Sequence, residues 1–178
     1  MAVTQFNLTA GQRAERKLLI TVAEWKETTG TTESSVREIL GTRTEDSSIE
    51  YNPDIETTTD ILGINYTDLN RTQPQQDFDP YLVLGGSKLG AKLNDIRRRN
   101  ALSELDQFTV YIITAFVGTS GAYEAEKHTG CTIAYNSIGG DSNVNFPISV
   151  YFSNNITTGT VDKLADDFVF TADVSVGG

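Results

Sequence analysis

The sequence predicts a mainly β protein: an antiparallel β-sandwich or open barrel with one flanking α-helix and a long extended loop. Three observations predict it. Runs of β-branched and aromatic residues recur along the chain, several of them alternating with period two. Only one segment places its apolar residues at helical spacing. Glycine, proline and asparagine punctuate the intervals between the runs.

Taken in order, "KLLITVAEW" (17–25) reads as a strand apolar on both faces, followed by a turn at Gly30 and a weak strand around Val36 to Leu40. "ETTTDILGINYTDLNRT" (56–72) is Thr-rich and β-prone, and Gly63 inside it predicts a long strand with a kink or bulge. Pro74, Pro80 and the Gly85–Gly86 pair make the next stretch a loop holding a short extended piece, Tyr81 to Leu84. Ser87 then caps the one helix, in which Leu89, Leu93 and Ile96 fall at i, i+4 and i+7 on one face.

The C-terminal half is β throughout. "QFTVYIITAFVG" (107–118) is apolar on both faces, as a covered central strand is. The short "TSG" links it to 122–135 as a hairpin. Strict alternation in 122–135 puts Tyr123, Ala125, Lys127, Thr129, Cys131, Ile133 and Tyr135 on one face and Glu124, Glu126 and His128 on the other. In 142–152, Val144, Phe146, Ile148, Val150 and Phe152 point inward, and Pro147 demotes the strand toward an edge or a bulged position. A last strand, 167–174, buries Phe168, Phe170 and Ala172.

With 178 residues and 38% hydrophobic content, the chain fits one domain, or one domain with an appended arm, and has enough apolar material for a packed core. Its formal net charge of −10 argues against broad adhesion to nucleic acid or anionic membrane. Cys131 is the only cysteine, which excludes a disulfide scaffold. "LLITVA" near the N-terminus is too short for a signal sequence or a membrane span, so synthesis in the cytosol, solubility and no membrane partner are expected. The Asn-x-Thr triplets at Asn7, Asn65, Asn70 and Asn155 then read as by-products of composition.

Catalytic chemistry is hard to find. His128 is the single histidine, and neither it nor Cys131 has the repeated partners that a metal site needs; a surface or interface imidazole and a small apolar thiol are the plainer readings. "GGDSNVNF" starts like a calcium loop, but Phe146 stands where glycine is required and Phe152 where a bidentate glutamate belongs. "GTSGAYEAEK" lacks the spacing of a phosphate loop. No enzyme, cofactor or metal is therefore expected. Arg97, Arg98 and Arg99 form the one basic cluster, set against the −10 background. A solvated helix face is its plain reading, and an ion-pairing site for an acidic partner is the sharper one.

The most unusual stretch is "EDSSIEYNPDIETTTD" (45–60), with six carboxylates, no lysine or arginine, and an apolar set of Ile49, Tyr51 and Ile55. It cannot build a core by itself.

"SIGGDSNVNFPISVYFSNNITTGTVDKLADDFVFTA" (137–172) resembles the closing strands of tail tube proteins (major tail proteins) of tailed bacteriophages. "TTTDILGINYTDLNRTQPQQDFDPYLVLGGSKLGAKLNDIRRRNAL" (57–102) is similar to that family's long strand, loop and single helix. The resemblance covers about the last two-thirds of the chain. It implies a single tail-tube-like domain over 1–178, with 41–56 as a protruding inter-subunit arm and 1–16 as an N-terminal extension. It also implies a structural virion protein, made in the bacterial host cytoplasm, whose six-membered rings stack into a hollow tube that carries DNA to the host. Implied partners are further copies of the chain, the tail tape measure, terminator and baseplate proteins, a sheath in some tails, and DNA as transient cargo.

On that view Glu45, Asp46, Ile49, Glu50, Tyr51, Asp54, Ile55 and Glu56 form the arm's interface, and Arg97, Arg98 and Arg99 receive it on a neighbour. Asp60, Asp68, Glu124 and Glu126 are the expected lumen-facing acids, since a duct for DNA needs a wall that does not grip phosphate. A carbohydrate- or host-receptor-binding β-sandwich of a phage tail tip is the alternative. It calls for aromatics on exposed loops, whereas Trp25 sits in a strand and most phenylalanines fall at inward positions.

Overall fold

The computed structural model describes residues 7–29 and 31–173. Its strands are β1 (Leu19–Thr29), β2 (Thr32–Ile39), β3 (Ile49–Glu50), β4 (Asp54–Thr59), β5 (Asn65–Arg71) and β6 (Gln75–Phe78). The helix α1 (Lys88–Arg99) follows, then β7 (Phe108–Thr119), β8 (Ala122–Tyr135), β9 (Ile148–Tyr151), β10 (Ile156–Val161) and β11 (Phe170–Ala172). Over the described residues the protein is mainly β, antiparallel at every pairing, with one α-helix.

β8 organises the sheets because it is long enough to serve two of them. One edge pairs with β7. The other takes β10 against Tyr123–His128 and β9 against Thr132–Tyr135. From β8 one ladder runs through β7 and β1 to β2, and another through β9 and β6 to β3. The main core lies between them: Trp25 and Ala23 of β1, Val110 and Ile112 of β7, Cys131 and Ile133 of β8, and Ile148 and Val150 of β9. Leu89, Leu93 and Ile96 of α1 are each fully buried against it, on the face that their spacing predicts.

A smaller core sits on the opposite face of β1 and β7, where Val22, Tyr111, Ile113, Ala125 and Val161 are covered by Phe168. Both faces of β7 are thus buried, as its continuous apolar run requires.

The helix is held at its N-terminus by two acceptors. Ser87 Oγ accepts from Gly90 N–H at 3.1 Å, the cap visible in sequence. Glu38 of β2 supplies the second: its carboxylate accepts from the N–H groups of Lys88 and Leu89 and from the hydroxyls of Ser87 and Tyr81. Four donors on one carboxylate tie β2, the 81–87 loop and α1 together.

Several expectations are corrected. The stretch expected to be a weak strand is an eight-residue one: β2 pairs with β1 from Thr29↔Thr32 to Val22↔Ile39. Its polar composition hides it because it is an edge strand with an exposed first half. The turn expected at Gly30 lies outside the described residues. Alternation along β8 breaks at Gly130: Phe108 opposes Cys131 and Thr109 opposes Thr129, leaving Gly130, at φ 75°, as a bulge. One inserted residue exchanges the faces, so Cys131, Ile133 and Tyr135 share a side with His128 rather than with Ala125.

β9 starts only at Ile148 and is interior, between β8 and β6, not an edge. Pro147 stands just before its first residue and therefore removes no ladder bond. Val144 is exposed, whereas Phe146, Ile148, Val150 and Phe152 are buried as expected. Phe168 is buried ahead of β11 rather than within it, while Ala172 is exposed. Finally, the run 56–72 is not one kinked strand but a hairpin, β4–β5, reversing at Asp60–Ile64.

Candidate functional site: an acidic hairpin arm

The arm is rooted where the body ends. Ile49 pairs with Gln76 of β6 and packs against the main core; Glu50 pairs with Gln75. Gln73 N–H donates to Tyr51 C=O at 2.9 Å, and Asn52 Nδ2 donates to Gln73 C=O at 3.2 Å, so the two chains leave the sheet side by side. Beyond this clasp, residues 51–59 and 61–70 are all exposed, and β4 and β5 pair with each other alone.

The reversal is built by Asp60. Its carboxylate accepts from Leu62 N–H at 2.8 Å and Ile64 N–H at 2.9 Å, and Gly63 takes the positive φ of 80°. These bonds, the one from Ile64 first, hold the Asp60 carboxyl below its ordinary range. Asp at the first and glycine at the fourth position of "DILG" is the turn signal in the sequence.

Cross-strand partners define two faces. Ile55 lies opposite Leu69, Thr57 opposite Thr67 (hydroxyls 3.4 Å apart) and Thr59 opposite Asn65, its hydroxyl donating to Asn65 Oδ1 at 2.7 Å. The other face sets Glu56 against Asp68 and Thr58 against Tyr66. Asn70 Nδ2 donates to Glu56 Oε2 at 3.5 Å, and Tyr66 Oη to Asp60 at 3.2 Å. Directly opposed like charges destabilise a ribbon, and an isolated two-stranded hairpin is marginal in water. Ile61 at the tip is fully exposed (102%), Leu62 nearly so (78%), and Ile64, Tyr66 and Leu69 more than half or about half.

The expected arm, 41–56, therefore straddles two environments. Glu45 and Asp46 are exposed residues of a loop on the body, Ile49 is anchored in it, and Glu50 and Tyr51 stand at the exit. Asp54, Ile55 and Glu56 belong to the exposed ribbon, whose outer half, including Asp60 and Asp68, lies beyond the expected boundary.

Arg97, Arg98 and Arg99 are exposed in the last turn of α1. Arg99 is engaged within its own chain, 2.7 Å from both Asp95 and Glu104. Bonds from Arg99 and Lys92 pull the Glu104 carboxyl down to about 2. Arg97 donates to Asn94 Oδ1 at 2.9 Å. Among the described residues Arg98 forms no ion pair.

Glu124 and Glu126 lie on β8, away from the arm's acids in sequence and sheet, and the four expected lumen residues do not form one ribbon. Both glutamates are half-buried, facing Thr160 and Thr158 across β10. Glu126 Oε2 lies 3.3 Å from Nε2 of His128, whose Nδ1 is 2.9 Å from Ser153 C=O. His128 is buried against Phe152, not at the surface as its sequence suggests. Burial pushes the Cys131 thiol up, away from nucleophilic use. Among the described residues no group of three His, Cys, Asp or Glu side chains is placed to hold a metal ion, and no helix is long and apolar enough to cross a membrane.

No protein-family model matches this chain, and a comparison with curated proteins finds no match.

Proposed function

We propose that the chain is a structural subunit of a phage tail tube, assembling through identical copies into stacked six-membered rings whose bore carries DNA, and that it resides in the virion. One observation carries the reading: an antiparallel sandwich extends a two-stranded arm whose apolar tip and opposed carboxylates are unsupported by its own body. Such a ribbon has little stability of its own, and a partner surface supplies the burial it lacks. The resemblance of residues 137–172, and of the loop and helix within 57–102, to tail tube proteins supports this assembly, although 56–72 is a hairpin and not the long strand of the resemblance. Glu124 is the bore-facing acid in this reading, because Glu126 is engaged with His128.

Negative-stain electron microscopy beside sedimentation of the purified protein tests it. Hollow filaments or rings are expected; monomers at every concentration and ionic strength would sink it.

A further inference from the structure

The body carries a surface complementary to the arm tip. A groove of about 440 Å3 opens between the start of β1 and the 40–47 loop, floored by Leu19, Ile20, Leu40 and Phe78 and rimmed by Arg16 and Lys17. Such a volume is of the size that receives a few aliphatic side chains. The Arg16 guanidinium is directed to carbonyls, those of Ser47 and Leu19, so no carboxylate cancels its charge. Lys17 has Glu15 at 2.5 Å, with both side chains mostly in solvent, and Glu45 also reaches the rim.

Arg43 neighbours this rim in the chain without lining the groove. It stands between the lining residues Thr42 and Thr44 with φ 64°, a left-handed conformation uncommon for a long side chain. The turn that imposes it is closed by Thr44 N–H to Gly41 C=O at 3.1 Å and by Thr44 Oγ1 to Pro80 C=O at 2.8 Å. Arg43 is exposed and forms no ion pair among the described residues. An uncommon backbone conformation spent on presenting an uncompensated cation is the kind of outlier from which function is inferred.

We infer that this groove receives the arm tip of a second copy: Ile61, Leu62 and Ile64 enter the apolar floor while the arm's carboxylates face Arg16 and Arg43. The inference rests on the assembly reading above and names the partner surface within it. The contact is between copies, since Ile61 is fully exposed on its own chain. It is head-to-tail, and such contacts extend into rings or filaments rather than stopping at pairs. The groove fits better than the end of α1, where Arg99 is already held by Asp95 and Glu104 and the adjoining cavity is lined mainly by charged side chains, Lys26, Glu27, Lys92, Asp95 and Glu104, which do not suit an aliphatic tip. A lipid surface fits less well. Between Glu45 and Arg71 the chain carries seven carboxylates against one arginine, which anionic headgroups repel.

Disulfide trapping tests the proposal. Copies carrying only Leu62→Cys are mixed with copies carrying only Thr42→Cys, assembled and mildly oxidised; both positions are exposed, and native Cys131 is buried. A cross-linked pair that forms in the mixture and in neither population alone is expected. Arg43→Glu is expected to raise the concentration needed for assembly at least tenfold without changing the melting temperature of the monomer. Assembled particles that give no 62–42 link, or that link Leu62→Cys to Arg98→Cys instead, overturn the groove while leaving the tube reading intact. Failure of the unaltered protein to assemble overturns both. Flotation with phosphatidylcholine vesicles through the tip would overturn the groove in favour of lipid.

Discussion

The sandwich body and the arm are made of the same secondary structure and are stable for different reasons. In the body, β7 has both neighbours and both faces occupied, so each strand residue brings burial along with its ladder bonds. In the arm, β4 and β5 have one neighbour each and no covered face. Their ladder bonds are made in water, where the net gain per bond is small, about 1 kcal/mol or less. The comparison teaches that strand content says nothing about where a β protein is self-sufficient; burial does.

Substitutions that remove burial should have the largest effect on folding, and only in the body. Leu93→Ala, at a fully buried helix position, is expected to destabilise by about 2–5 kcal/mol in urea unfolding. A loss under about 1 kcal/mol would mean that α1 is as dispensable as the arm.

Next comes the clasp that joins helix to sheet. Glu38→Ala leaves two N–H groups and two hydroxyls without their acceptor and should cost about 1–3 kcal/mol, measured the same way. Gly130→Ala tests the bulge: an added Cβ meets nothing within 4 Å, so the cost is the left-handed backbone alone, about 1–2 kcal/mol.

A smaller effect is confined to acid. The Glu104 carboxyl is held at about 2, below its ordinary 4.5, by Arg99 and Lys92. A depressed carboxyl contributes stability that is complete above its unfolded value and is lost as pH falls through the folded one. The loss therefore runs between about pH 4.5 and 2. Solvent screening limits it to roughly 1 kcal/mol, and Glu104→Gln should flatten that part of the stability–pH curve.

The smallest effect on folding belongs to the arm. Replacing residues 53–72 by a two-residue Asn-Gly turn between the clasp residues Asn52 and Gln73 should shift monomer stability by no more than about 0.5 kcal/mol while abolishing the proposed assembly. Unfolding of the body on this excision would erase the distinction between the two regions.

What could be read in the sequence follows local rules. Leu89, Leu93 and Ile96 mark a helix face because helical geometry alone brings them together, and Ser87 marks its start because a cap bonds within its own turn. The two-sided apolar run of β7, the tight β7–β8 hairpin and the inward set Phe146, Ile148, Val150 and Phe152 were legible for the same reason. So was the inability of "EDSSIEYNPDIETTTD" to build a core.

The tertiary structure alone decided matters in which distant residues meet. One inserted glycine changed which face Cys131 occupies, and only pairing with β7 reveals the insertion. β2, β6 and β10 are short or polar segments that become strands because the sheet offers them a partner. Glu38 caps a helix fifty residues away, and Arg16 and Phe78 share a groove. The arm's true reach, past Asp60 to an aliphatic tip, emerged because Asp60 bonds forward to Leu62 and Ile64 and folds the chain back on itself. Periodicity records which side chains share a face of one element; it holds no record of what lies across from that face, and that is where burial, and hence stability, is determined.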